Sequence, residues 1–257
     1  MEQFYLMDGA MAYGVVSKSK PFADPNADWF TGLMPNNALR LAGPMLLSPA
    51  LISAREPAVQ QAVNRAIDGF PHRLHLTYIE SDFSFAELAE HLRRFVYFGD
   101  SVGEPYGLRI ADNRVLAYLY RLITLEQWHA LSEPFATLRI HGRSGTVKRF
   151  TPSAQPAVPL PKVPWQFDDE QIRRLIDAGE PDALLSRLNL DVGTAPPAFA
   201  EKNYEVASQC VDLWRAGGSD NRGALLLFSR RVFASGGSLL ADPAACKRIL
   251  AEAAAAL

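Results

Sequence analysis

The sequence predicts a mixed α/β (α+β) N-terminal lobe over residues 1–150 followed by an all-helical C-terminal lobe over residues 165–257. Three observations carry that expectation. Strand and helix signals alternate between Leu74 and Trp128, and nearly every boundary is marked by a turn or capping residue. Residues 151–164 hold five prolines, at 152, 156, 159, 161 and 164, and read as an extended, semi-rigid linker. Beyond it, apolar residues recur at helical spacing.

In chain order, Phe4–Met7 is a short apolar strand ending at Asp8-Gly9. Residues 17–37 are rich in Pro and Asn and read as loop, pinned to the core by Trp29 and Phe30. Pro44–Ser48 is a second strand. Glu56–Ile67 is a helix with Val59, Val63 and Ile67 in line, ended by Gly69 and Pro71. Leu74–Glu80 (LHLTYIE) is a strand by its β-branched and aromatic content. Ser84 opens the next helix with Glu87 as its capping-box partner, and Phe85, Leu88, Ala89, Leu92 and Val96 form its apolar face. Its polar face carries Glu90 and Arg94 as an exposed pair, with His91 among them. Phe95–Phe98, a polar turn and a short strand at Gly107–Ile110 follow. Asp112 caps a helix bearing Val115, Leu116, Leu119 and Ile123, and Thr124 with Gln127 caps another. Residues 136–141 and 146–150 alternate about Gly142 and Gly145, a hairpin pattern.

After the linker, Asp168-Asp169-Glu170 places negative charge in a first helical turn, with Ile172, Leu175 and Ile176 as apolar face. A separate helix starts near Pro181. A longer one spans about 198–216, with Phe199, Val206, Ala207, Cys210, Val211 and Trp214 on one side, and Gly217-Gly218 stops it. Asn221 opens a helix that is apolar most of the way round, and the last helix follows Asp242-Pro243.

The chain has 257 residues, 48% hydrophobic and 21% charged, with net charge −2, which is ordinary globular composition. Residues 1–150 carry 15 basic and 15 acidic residues, so charge gives no reason to expect nucleic acid. The two cysteines, Cys210 and Cys246, fall in helical patterns and read as buried free thiols. No basic segment followed by an apolar stretch opens the chain, and no run reaches the roughly 18 apolar residues of a membrane span; a cytoplasmic protein is expected.

No catalytic, metal or cofactor constellation is assembled by the sequence. His72 and His75 are three apart in a strand, where they face opposite ways. Gly142-Arg143-Ser144-Gly145 lacks the spacing and the following helix of a nucleophile elbow. No P-loop or dinucleotide fingerprint is present. Asp8, Asp82, Asp100 and Asp112 each follow a strand-like run, which leaves a small hydrolase with carboxylates at strand ends as the alternative reading. Arg109 and Asp112 are placed to pair across their turn. Trp165 and Phe167, beside prolines and outside any helix pattern, are the expected exposed anchors for a partner.

Four stretches carry a family resemblance. They are Leu6-Met7-Asp8-Gly9-Ala10, Gly43-Pro44-Met45-Leu46, Ser81 with Glu87-Leu88 and His91-Leu92-Arg93, and Gly107-Leu108-Arg109-Ile110-Ala111-Asp112 with Val115-Leu116. Together they resemble the type VI secretion adaptor chaperones, the Tap/Tec adaptors, long catalogued as a domain of unknown function. The resemblance covers about residues 4–150. It departs where the family has an aromatic pair and then Asp-Pro, and this chain has Ile110-Ala111 and Asp112-Asn113. The resemblance implies a cytoplasmic adaptor that binds a toxic effector and promotes its loading onto the VgrG spike protein, without cofactor or turnover. It marks Asp8, Pro44, His91, Arg93, Arg109 and Asp112 as motif residues, and the helical lobe as taking part in cargo choice.

Overall fold

A computed structural model describes residues 1–151, 165–190 and 197–256. The chain divides into two compact units, Met1–Leu175 and Ile176–Leu257. The division falls inside a helix rather than at residue 165, and the expected proline-rich linker lies outside the described residues.

The first unit is built on a six-stranded sheet of order β2-β3-β1-β4-β7-β8, antiparallel at every pairing. Its strands are β1 (Glu2–Asp8), β2 (Phe30–Gly32), β3 (Pro44–Leu47), β4 (Leu76–Ser81), β7 (Phe135–His141) and β8 (Val147–Phe150). A three-stranded sheet joins β6 (Pro105–Gly107), β5 (Tyr97–Gly99) and β9 (Trp165–Gln166). Around them lie α1 (Gly9–Val16), α2 (Lys20–Ala23), α3 (Pro49–Ser53), α4 (Pro57–Asp68), α5 (Phe85–Arg93), α6 (Asn113–Leu122) and α7 (Leu125–Ser132).

Two-residue alternation assigns the faces of the large sheet. In β1, Phe4 and Leu6 join a core with Leu88 and Leu92 of α5 and Leu116 and Leu119 of α6. Tyr5 and Met7 point the other way, into a second core with Val59 and Val63 of α4 and with Phe22, Trp29 and Phe30. β1 therefore sits at the centre with apolar layers on both faces. Complete burial of a side chain such as Phe4 contributes about 2–3 kcal/mol.

The capping signals are realised. Ser84 and Glu87 form a full capping box on α5, as do Thr124 and Gln127 on α7. The hairpin closes with the Gly142 N–H donating to the Thr146 carbonyl at 2.7 Å, and Gly145 takes φ +77°. Several details differ from expectation. Segment 17–37, read as loop, contains α2 and the edge strand β2. The expected strand at Gly107–Ile110 is displaced, because the pairing with β5 ends at Gly107 and Leu108, Ile110 and Ala111 instead bury in the core. Glu90 pairs with Arg93 at 3.2 Å rather than with Arg94.

The second unit is helical: the later turns of α8 (Asp169–Arg187), then α9 (Pro197–Ala216), α10 (Arg222–Ala234) and α11 (Pro243–Ala255). Its core includes Leu184, Leu185, Ala207, Cys210, Val211, Phe228 and Cys246. Asn221 and Asp242 cap α10 and α11 as expected. Two readings are corrected. Pro181 lies inside α8 instead of opening a new helix. Proline removes the donor for the Asp177 carbonyl four residues back, and Arg215 donates to that oxygen at 3.4 Å while pairing with the Asp177 carboxylate at 2.8 Å. Phe199 and Ile176, assigned to apolar faces, are exposed; Phe199 lies in the first turn of α9.

Candidate functional site

The motif residues fall into three places in the first unit. The most connected is an arginine–carboxylate lock joining two helix starts. Asp8 ends β1 and caps α1, its Oδ1 accepting from the Met11 N–H at 2.9 Å. Asp112 caps α6 in the same way, accepting from the Arg114 N–H at 3.0 Å. Arg109 bridges the two. It donates to Asp8 Oδ2 through Nε at 3.1 Å and Nη2 at 3.0 Å, and Nη2 lies 3.3 Å from Asp112 Oδ2. Arg114 holds Asp112 from the other side, at 3.0 and 2.7 Å. The expected Arg109–Asp112 link is present, and Asp8 and Arg114 complete it.

Burial pushes both carboxyls upward, and the two resolve differently. At Asp112 the Arg114 hydrogen bonds and charge, with Arg109, outweigh burial and hold the carboxyl below its ordinary value. At Asp8 burial and the neighbouring Asp112 charge outweigh Arg109, and the carboxyl sits above its ordinary value. The backbone beside Asp8 is equally committed. The Gly9 N–H donates to the Gly43 carbonyl at 3.0 Å, and a Cβ at Gly9 would stand 2.4 Å from that oxygen. Pro44 follows, buried and paired with Asp8 across β1 and β3.

Asn113, the residue after the Asp112 cap, is 1% exposed. Its N–H donates to the Leu74 carbonyl at 2.9 Å, and its amide donates to Leu76 and Arg73 at 2.8 and 3.2 Å. It also accepts from the Thr77 hydroxyl. Proline would supply none of the donated bonds, so in this chain the start of α6 is held on β4 by an amide.

The four strand-end aspartates do not converge. Asp8 and Asp112 meet through Arg109. Because β1 and β4 are antiparallel, Asp82 lies at the opposite end of the sheet, 3.2 Å from the Met1 amino group. Asp100 closes the β5–β6 turn, accepting from the Val102 and Glu104 N–H groups. Among the described residues no group of three or more His, Cys, Asp or Glu is placed to hold a metal. His75 is fully buried and bonded to the Ala66 carbonyl at 2.9 Å; burial pulls its pKa down to about 4.

The second place is a clamp between helices, and it corrects the reading of His91. His91 is buried, not on a solvated face. Its Nε2 bonds the Leu131 carbonyl at 3.0 Å, which requires the proton on Nε2 and ties α5 to the end of α7. Burial lowers its pKa.

The third is open. Arg93, on the last turn of α5, donates to the Thr31 hydroxyl of β2 at 3.1 Å. It lines a cleft of about 740 Å³ along β2 together with Phe30, Thr31, Gly32, Met34 and Arg40. The Arg40 guanidinium stacks 4.3 Å over the Phe30 ring. Neither Arg40 nor this cleft was legible in the sequence, because both depend on a three-residue edge strand inside a stretch with loop composition.

Trp165 and Phe167, expected as exposed anchors, are corrected outright: they are 1% and 3% exposed. β9 pairs in parallel with β5, and the Phe167 N–H donates to the Gly99 carbonyl at 3.0 Å. That seats Trp165 against Phe95 at 5.0 Å and stacks Phe167 on Phe98 at 4.6 Å. The alternating Trp-x-Phe pattern was the available signal that this segment pairs as a strand.

Residues 3–130 match the model of a family described as "Domain of unknown function (DUF4123)". No curated protein and no solved structure matches the chain. No helix among the described residues is long and apolar enough to cross a membrane.

Proposed function

We propose that this protein is an adaptor chaperone of type VI secretion, which binds a toxic effector in the cytoplasm and promotes its loading onto the VgrG spike by non-covalent recognition. The observation that carries the reading is the DUF4123 match over residues 3–130, the stretch in which the adaptor-like motifs lie. The roles of the motif residues agree with it. Asp8, Pro44, His91, Arg109 and Asp112 are spent on caps, strand pairing and helix clamps, which is the use expected of residues that preserve a binding scaffold. The two carboxylates that do meet are each bonded to arginine and to a backbone N–H, and so are committed to structure.

The test is affinity purification of the tagged chain from its native cell, with the bound proteins identified. The reading predicts one large toxin together with a spike protein. Recovery of neither at native expression and low salt contradicts it.

A further inference from the structure

We infer that the free edge of β2 is a docking site for an extended, acidic polypeptide segment, which adds to the large sheet as a seventh strand. The inference rests on the adaptor reading, since it names the kind of cargo segment that would be held.

Among the described residues β2 ends the sheet, with β3 as its neighbour on one side; on the outer row the Thr31 hydroxyl reaches the Gly32 carbonyl at 3.4 Å, a long and weak contact. The Leu33 N–H donates to the Pro44 carbonyl and the Trp29 carbonyl accepts from the Ser48 N–H, each at 2.9 Å. Residues 29, 31 and 33 therefore bond inward, and by the two-residue period Phe30 and Gly32 present N–H and C=O outward. The cleft of about 740 Å³ runs along this row and is lined from both faces of the strand. On one face lie Phe30 and Gly32 with Arg40 over them, so close that a Cβ at Gly32 would stand 2.9 Å from the Arg40 carbonyl oxygen. On the other face Arg93 bonds Thr31.

An unpaired strand edge in a cleft selects a polypeptide, because only a peptide backbone offers N–H and C=O groups at the matching repeat. The charge selects its sequence. The cleft's lining residues include two arginines and no carboxylate. Arg93 is engaged with Glu90 in an exposed pair three residues apart, and Arg40 with the Asp24 carbonyl at 3.1 Å. Exposed contacts of this kind are weak and exchange readily for a better anion. Successive side chains of an added strand point to opposite faces, so two adjacent acidic residues would reach Arg40 and Arg93 at once.

The experiment uses the full chain and a short fluorescein-labelled peptide of alternating Val and Thr around a central Asp-Glu pair, read by fluorescence anisotropy. Three results are expected together. The acidic peptide binds, while its Lys-Lys counterpart does not. Arg40→Glu with Arg93→Glu weakens binding by about tenfold or more while the melting profile is kept. N-methylation of the amides on the pairing edge of the peptide abolishes binding, an arm that needs no change to the protein. Equal binding of the N-methylated peptide, equal binding of the basic peptide, or no binding at millimolar concentration overturns the inference. So does an edge-to-edge dimer of this chain, seen as a doubled mass in sedimentation. If the unaltered chain captures an effector while the peptide fails, strand addition alone falls; if it captures no effector, the adaptor reading falls.

Discussion

Two arginine sites in the first unit use the same chemistry to opposite ends. At the lock, Arg109 and Arg114 are matched to two carboxylates that are almost wholly buried, and each carboxylate also caps a helix. At the β2 edge, Arg40 and Arg93 line an open cleft, held by a ring face, a hydroxyl, a carbonyl and one exposed carboxylate. The first arrangement commits its arginines to buried carboxylates. The second leaves its arginines on exposed contacts. The comparison separates residues that keep the scaffold from residues that can be offered to a partner, although Arg93 and Arg109 belong to one sequence pattern.

The comparison breaks most visibly at Asp112. Asp112→Ala removes a helix cap and takes the buried carboxylate from Arg114, while Arg109 keeps Asp8, so we expect a loss of about 3–5 kcal/mol in denaturant unfolding. A loss below 1 kcal/mol would show that the lock is a surface pair like any other.

Acidification sharpens the same contrast. His75 titrates near 4 in the folded chain and near 6.5 unfolded, so between those values the unfolded chain holds the extra proton and stability falls as pH drops. That single group accounts for a loss on the order of 3 kcal/mol between pH 6.5 and pH 4. His91 shifts in the same direction. Asp112, whose folded value is depressed, adds a loss at still lower pH. Asp8 opposes them: its folded value is raised, so protonation near pH 4 favours the fold. Unfolding midpoints measured from pH 7 to pH 4 should fall, and His75→Gln should flatten that fall; a flat wild-type profile would contradict the burial argument.

Asn113→Pro deletes bonds to Leu74, Leu76 and Arg73. A destabilisation of about 1–3 kcal/mol is expected by thermal melt. No change would mean that the amide's bonds are replaced by water. The smallest effect belongs to the open site: Arg93→Ala should cost less than about 1 kcal/mol of stability, since its contacts are exposed.

Most of the scaffold was legible because its signals are local. Ser84, Thr124, Asn221 and Asp242 cap the helices they were expected to cap, since a cap is decided within about four residues. What depended on distant pairing was not legible. Trp165 and Phe167 read as exposed because nothing near them reveals β5 as their strand partner. His91 read as solvated because the carbonyl that buries it comes from Leu131. α8 continues through Pro181 because Arg215 serves the carbonyl that proline leaves free. Of the cleft along β2, only Arg93 had been marked, by the resemblance and as a motif residue rather than a partner-binding one, while Arg40 and the edge of β2 emerged only from the fold.

The most direct test of the account is co-purification from the native cell, comparing the wild-type chain with the Arg40→Glu/Arg93→Glu variant. The account predicts that the wild type retains a large toxin together with a spike protein, and that the folded variant loses the toxin. A wild-type chain that retains neither protein contradicts the adaptor reading at its root.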